Sequence, residues 1–191
     1  ARIGKDLNDS DDSVGNAIYI VNAHTGALIW KAVQGSTGTA SNRSYAHAGL
    51  VDSIPSKVSV LESFAGNIHR VYVGDTGGAV WRVDLPAGDG TNANHRRDNW
   101  FITKLAELGT DGTTTDRRFF HGPDLVETYD STGNFDGILI ESGDRAHPNE
   151  TDVENYMFYI KDRKIISGSA TVKAENLVAN PPGRFVFDHT L

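Results

Sequence analysis

Cysteine is absent from the 191 residues, so no disulfide framework can be drawn, and the usual mark of a secreted chain goes with it. Its absence alone assigns no compartment. No run of about 18 apolar residues occurs, so no segment reads as a membrane-spanning helix. Positive charge is not in excess. With 18 Lys and Arg against 25 Asp and Glu, the net charge is −7, and nothing in that balance favours nucleic acid or an anionic membrane. The chain opens Ala1-Arg-Ile-Gly4 without an initiator methionine or a signal peptide, which reads as a processed or excised piece.

Catalytic signatures are missing as well. His24, His47, His69, His95, His121, His147 and His189 are scattered singly, with no HExxH and no paired metal spacing, so zinc chemistry has no support. There is no G-x-S-x-G elbow and no phosphate-binding P-loop. No catalytic, cofactor-binding or metal-ligating residue is assigned, and the chain is not expected to be an enzyme. The doublets Arg96-Arg97 and Arg117-Arg118 read as solvated surface.

What is present is glycine, 20 residues of it, set between β-branched and aromatic runs. In IHRVYVGDTGGAVWRVDL (68–85), Arg70-Val-Tyr-Val73 suits a pleated, half-buried surface. Asp75-Thr-Gly-Gly78 supplies a turn, and Ala79-Val-Trp-Arg-Val-Asp-Leu85 returns. A first copy lies at 15–33, GNAIYIVNAHTGALIWKAV, with a turn at Asn22-Ala-His-Thr-Gly26. Tyr19 corresponds to Tyr72 at a spacing of 53 residues, and Trp30 to Trp81 at 51. Self-similarity at that period predicts propeller blades. Tyr19, Trp30, Tyr72 and Trp81 are expected in blade packing, and Gly26, Gly77 and Gly78 in hairpin turns.

A third hairpin is expected over 137–160, from GILI to the return YMFYI, with a long connection over 141–155. Its offset, 67 residues from Val71 to Ile138, makes the repeat irregular. Residues 54–61 read as the strand before the second hairpin, and 99–108 as strand or short helix. The tail 165–191 carries Pro181-Pro182 and no visible chemistry. The fold class is therefore all-β, a β-propeller or a partial set of its blades, built from antiparallel hairpins with long loops. One domain spans 1–191. Blades of about 40–50 residues allow about four here, so a fragment of a larger ring is expected.

Several loops offer oxygens. Asp6, Asn8, Ser10 and Asp12 alternate with the spacing of a calcium loop, but the glycine and the bidentate Glu of an EF-hand are not in place. Asp130, Thr132, Asn134 and Asp136 form a second such series, a pattern more often an Asx-turn bonding its own backbone. In Ser142-Gly-Asp-Arg-Ala-His-Pro148, Asp144, Arg145 and His147 form a polar cluster able to bind an anion or orient a proton. The structural alternative is an Asp144–Arg145 pair that pins the loop, and it is preferred because no nucleophile stands nearby.

The blocks VGNAIYIVNAHTGALIW, IPSKV, HRVYVGDTGGAVWRVDL, LAELG, RRFFHGPDLV and GILIESGDRAHP occur in the order found in the propeller domain of the PilC/PilY proteins, which this chain resembles over 15 to about 162. The resemblance implies a C-terminal β-propeller from an exported tip adhesin and assembly factor of bacterial type IV pili. It implies an extracellular, cell-surface location at the pilus tip, with minor pilins or other tip proteins as partners and a host or abiotic surface as target. Family members often carry a calcium site in the loop before the RVYVGD strand. Here that stretch is Glu62-Ser-Phe-Ala-Gly-Asn-Ile-His69, where only Glu62, Asn67 and Ser63 offer side-chain oxygens, so the site reads as lost. No cofactor is expected, calcium at another loop being the one left open. The alternative is the propeller portion of a quinoprotein dehydrogenase using pyrroloquinoline quinone, because Thr25-Gly-Ala-Leu-Ile-Trp30 also resembles that group's TGxxxW packing motif. No basic-and-acidic cofactor cradle accompanies it.

Overall fold

The computed structural model describes residues 12–36, 40–41, 43–63, 65–86, 99–110, 112–149, 151–163 and 183–186. Among them the chain forms twelve strands and no helix. They are β1 Ile18–Val21, β2 Leu28–Gln34, β3 Ala40–Ser41, β4 Ser44–His47, β5 Ser59–Glu62, β6 Ile68–Gly74, β7 Ala79–Asp84, β8 Phe101–Glu107, β9 Asp124–Asp130, β10 Gly133–Glu141, β11 Tyr156–Asp162 and β12 Gly183–Val186. They make three four-stranded sheets, ordered β1-β2-β4-β3, β5-β6-β7-β8 and β12-β11-β10-β9. The second and third are antiparallel meanders. The first is mixed, because β2 and β4 run parallel. None is closed among the described residues.

The second sheet lies between the other two. Val71, Val73, Trp81 and Val83 form one core with Ile18, Trp30, Ala32 and Tyr45 of the first sheet. Tyr72 and Val80 form another with Ile138, Ile140, Phe158 and Ile160 of the third. Successive side chains on a strand point to opposite faces, so β6 and β7 serve both cores at once. That is why nearly every position of β6 and β7 is buried, Arg70 and Arg82 included.

The two similar hairpins keep the same register. Tyr19 pairs with Lys31 and Ile20 with Trp30, as Tyr72 pairs with Arg82 and Val73 with Trp81. Their facing differs from the expectation for successive blades. Trp30 and Trp81 point into the same junction, whereas a repeat carried around a ring turns equivalent faces the same way. The spacing of 51–53 is therefore a repeat of hairpins and not of positions in the stack. Tyr19 is corrected with it: it is 60% exposed, while Tyr72 is fully buried, because among the described residues a neighbouring sheet covers that face of the second sheet and none covers that of the first. The irregular offset of 67 holds up better. Ile138 pairs with Ile160 and Ile140 with Phe158, in the places of Val71–Val83 and Val73–Trp81, and this face meets the preceding sheet as the Trp81 face does.

Other boundaries move. Of 99–108, Phe101–Glu107 is strand, and of 54–61 only the end is, since Pro55 lacks a ladder donor. The third hairpin starts earlier than 137: β9 and β10 flank a tight turn at Ser131 and Thr132, closed by Gly133 at φ 122°. The tail supplies β12 as the fourth strand of the third sheet.

Candidate functional site

Charge concentrates where the second and third sheets meet. On the second sheet, Arg70 pairs across the strands with Asp84 and Tyr72 with Arg82, which puts four polar side chains on one face. On the third, Asp136 sits opposite Asp162. Arg70 Nε donates to Asp136 Oδ2 at 2.5 Å, and its Nη2 donates to Asp136 Oδ1 and Glu127 Oε1, each at 3.1 Å. Arg82 Nη1 donates to Asp162 Oδ2 at 2.6 Å and its Nε to Asp84 Oδ2 at 2.8 Å. The Tyr72 hydroxyl lies 2.6 Å from Asp136 Oδ2 and 2.9 Å from Asp162 Oδ2. At the open end His69 Nε2 meets Glu127 Oε1 at 3.0 Å.

Burial sets the electrostatics of this seam. It pushes the Tyr72 hydroxyl well above its ordinary range, and the carboxylates of Asp162 and Asp136 push it further. Burial also raises Asp84 against the pull of Arg82, and raises Asp136 against the pull of Tyr72 and Arg70. Burial works against the Arg82 charge, but Asp162 and Asp84 outweigh it and hold the guanidinium protonated. The single hydroxyl proton of Tyr72 is donated to one carboxylate at a time. The arrangement ties two sheets together through buried, charge-assisted bonds.

A second polar centre closes the 75–78 turn. Asp75 is fully buried. Its Oδ1 accepts from the backbone N–H of Gly77 at 3.1 Å and Ala79 at 2.7 Å, and its Oδ2 accepts from Trp81 Nε1 at 2.6 Å. Burial nevertheless pushes Asp75 up to about 6, with the Trp81 and Ala79 donors opposing. Both glycines are needed. A Cβ on Gly77 would lie 2.0 Å from Asp52 Oδ2, and Gly78, at φ +83°, would meet the Gly109 backbone at 2.5 Å.

A third centre joins the loops before β9 and after β10. Arg117 and Arg118, expected at the solvated surface, are each only 8% exposed. Arg117 Nε donates to Glu154 O at 2.7 Å and Nη1 to Leu108 O at 2.8 Å, with the guanidinium over the Tyr156 ring at 4.7 Å. Carbonyls and a ring face replace the water it would otherwise need. Arg118 lies 3.5 Å from Asp144 and 3.6 Å from Asp116.

The oxygen-bearing loops fall out as follows. Of 6–12, only Asp12 is among the described residues; its Oδ2 accepts from Ser53 N at 2.8 Å and from Thr76 Oγ1 at 3.3 Å. Of 62–69, Glu62 ends β5, Ile68 and His69 begin β6, and between them Gly66 N donates to Ser63 O, while Phe64 lies outside the described residues. Asp130 and Asp136 do not converge. Asp130 takes Thr132 N and Oγ1, Lys161 and Arg163, which hold its carboxyl far below the usual range, while Asp136 turns into the buried seam. That is the Asx-turn reading. In 142–148, Asp144 bonds His147 Nδ1 at 3.1 Å and the N–H groups of Ala146 and His147. Burial tends to raise it, but these donors and Arg118 leave it lowered. The loop is pinned as expected, though by Arg118 and not Arg145, which is exposed. Two more histidines sit beside carboxylates or rings: His121 meets Glu141 at 2.6 Å, and His47 stands edge-on to Trp81. His95, His189 and Arg96-Arg97 lie outside the described residues.

Sequence reading missed the seam itself. The available signal was Arg70 and Arg82 inside apolar strands, where a charge on a covered face demands a partner.

These features define an all-β protein of stacked, antiparallel-rich sheets tied by buried charge. A solved structure is similar in fold: the crystal structure of the Pseudomonas aeruginosa PilY1 C-terminal domain matches at a TM-score of 0.60 and 19% identity, over 81% of this chain and 32% of that one. At that identity the likeness is one of fold. The chain spans about a third of the PilY1 structure. No family model matches, and no curated protein is similar.

Proposed function

We propose that these residues are part of a β-propeller from a type IV pilus tip protein of the PilC/PilY kind, acting in pilus assembly, extension and attachment through protein contacts and without catalysis. The observation that carries the reading is the fold likeness to the PilY1 C-terminal domain, joined to the ordered sequence blocks that resemble the family. The second and third sheets support it, being antiparallel meanders whose equivalent faces turn the same way. Minor pilins or other tip proteins are the partners this reading names, and the bacterial surface is the location. The test is replacement of Trp81 by Ala in the source bacterium, with surface pili counted and twitching measured. Loss of extended pili, with pilin still made, is expected. Unchanged piliation by a strain shown to lack the folded domain overturns the reading, as does quinone-dependent dye reduction by the purified protein.

A further inference from the structure

We propose that the loop between β10 and β11 is the surface on which a separate protein of the pilus tip docks, with Arg145 and His147 receiving a carboxylate of that partner. This rests on the pilus reading above and gives its protein contacts a place. β6–β7 and β10–β11 are equivalent hairpins, Ile140–Phe158 standing where Val73–Trp81 stands. Their turns are closed alike, by Asp75 N donating to Ala79 O and Ser142 N to Tyr156 O. In each, the next N–H bonds the connection that enters its own sheet, Thr76 N to Ser53 O and Gly143 N to Arg118 O. The second sheet makes this reversal with residues 76–78, whereas the third uses 143–155, ten residues more. Chain reversal does not need them, and long loops held on a scaffold are where binding residues concentrate.

The base of the loop is fixed. Arg117 Nε donates to Glu154 O, Glu154 N to Thr114 O, and Ser142 Oγ to Asn155 Oδ1 at 3.0 Å. A base already ordered lowers the cost of ordering on binding. Asp144 is taken inward by Arg118, His147 Nδ1 and two backbone N–H groups. Arg145 is exposed and pairs with no carboxylate among the described residues. The His147 side chain is 57% exposed, with Nδ1 on Asp144 and Nε2 left for a partner. A carboxylate approaching Nε2 favours the doubly protonated ring, which donates from both nitrogens. A guanidinium meets a carboxylate through paired N–H donors, and arginine is enriched at binding hot spots. On the second half of the loop, Glu154 accepts from the Tyr156 hydroxyl and Asp152 is exposed. The loop leaves from strand ends, whereas the sheets of this chain meet through their faces. A further sheet of the same chain would not cover it.

The experiment places Arg145→Glu together with His147→Gln in the full-length protein of the source bacterium, with Asp152→Ala as the control. Surface pili are expected to fall at least about tenfold in the double variant, with the protein still at the cell surface, and to persist in the control. The 191-residue chain with both substitutions should melt at the wild-type temperature, which separates lost docking from lost folding. If it melts lower, Arg145→Glu alone decides, because that side chain bonds none of the described residues. The proposal is overturned if pili stay at the wild-type number, or if Asp152→Ala removes them equally. When Trp81→Ala abolishes pili and the double variant does not, the docking loop falls and the pilus reading stands. When neither affects them, both fall.

Discussion

Asp75 shows how one carboxylate organises a turn. Its three N–H partners hold the chain reversal and the Trp81 indole together, so Asp75→Asn, which presents an amide N–H to the Trp81 N–H, should cost about 1–3 kcal/mol. The same group governs a pH effect. A buried acid raised to about 6, against an ordinary 3.8, makes the folded state bind the proton more tightly. Stability should therefore rise as pH falls through 6, by about 2 kcal/mol between pH 7 and 4.5 and about 3 kcal/mol once the pH is below the ordinary value. Denaturant melts at pH 7 and 4.5 check this: the wild type should gain over Asp75→Asn at the lower pH, and parallel curves would refute it. In the seam, Tyr72→Phe removes the hydroxyl between Asp136 and Asp162 and should cost about 1.5–3 kcal/mol. Arg82→Ala should cost about 3–5 kcal/mol, since it removes the guanidinium bonded to the buried Asp162 carboxylate. A smaller loss for Arg82→Ala than for Tyr72→Phe would mean that the seam is held from the tyrosine alone.

Hairpins that look alike do different work. Trp81 and Trp30 are both fully buried, and Trp81→Ala should cost about 3–5 kcal/mol. An unchanged melting temperature would remove the basis for placing it in the core. Tyr19→Ala, at the register position of Tyr72, should change stability by no more than about 0.5 kcal/mol. The β9–β10 turn makes the complementary point about metal. Asp130 is already held by Lys161 and Arg163, and two cations on one carboxylate compete with a third. Calorimetric titration with calcium should show no heat from this turn, and a chelator should leave the melting curve in place. Micromolar binding lost in Asp130→Asn would reverse that view.

In the whole molecule, protection should follow the order of the sheets. The second sheet has both faces covered, and β6 and β7 are paired on both sides. Their amides should exchange slowest under native conditions, and those of β1, an edge strand among the described residues with an exposed outer face, faster. Slower exchange in β1 than in β7 would imply a cover on the first sheet in the isolated chain.

How much of this was legible depends on the range of the interaction concerned. Glycine-punctuated turns, β-branched runs and the Asp75 hairpin are local, so residues 15–33 and 68–85 announced their strands and turns unaided. The Asx-turn at Asp130 was legible for the same reason, since its partner Thr132 is two residues away. Burial of Arg117 and Arg118 was not, because the carbonyl of Glu154 and the ring of Tyr156 come from a distant part of the chain. Nor was the difference between Tyr19 and Tyr72. By itself the sequence determined that the chain is all-β, where its principal hairpins turn, and that Trp30 corresponds to Trp81. Only the tertiary structure decided which face of each sheet is covered, that the two tryptophans meet in one junction, and that Asp136 and Asp162 answer Arg70 and Arg82 from 66 and 80 residues away. Turn chemistry and strand pairing act between near neighbours. The covering of a face, and the carboxylate that neutralises a buried cation, depend on which distant sheet folds against it.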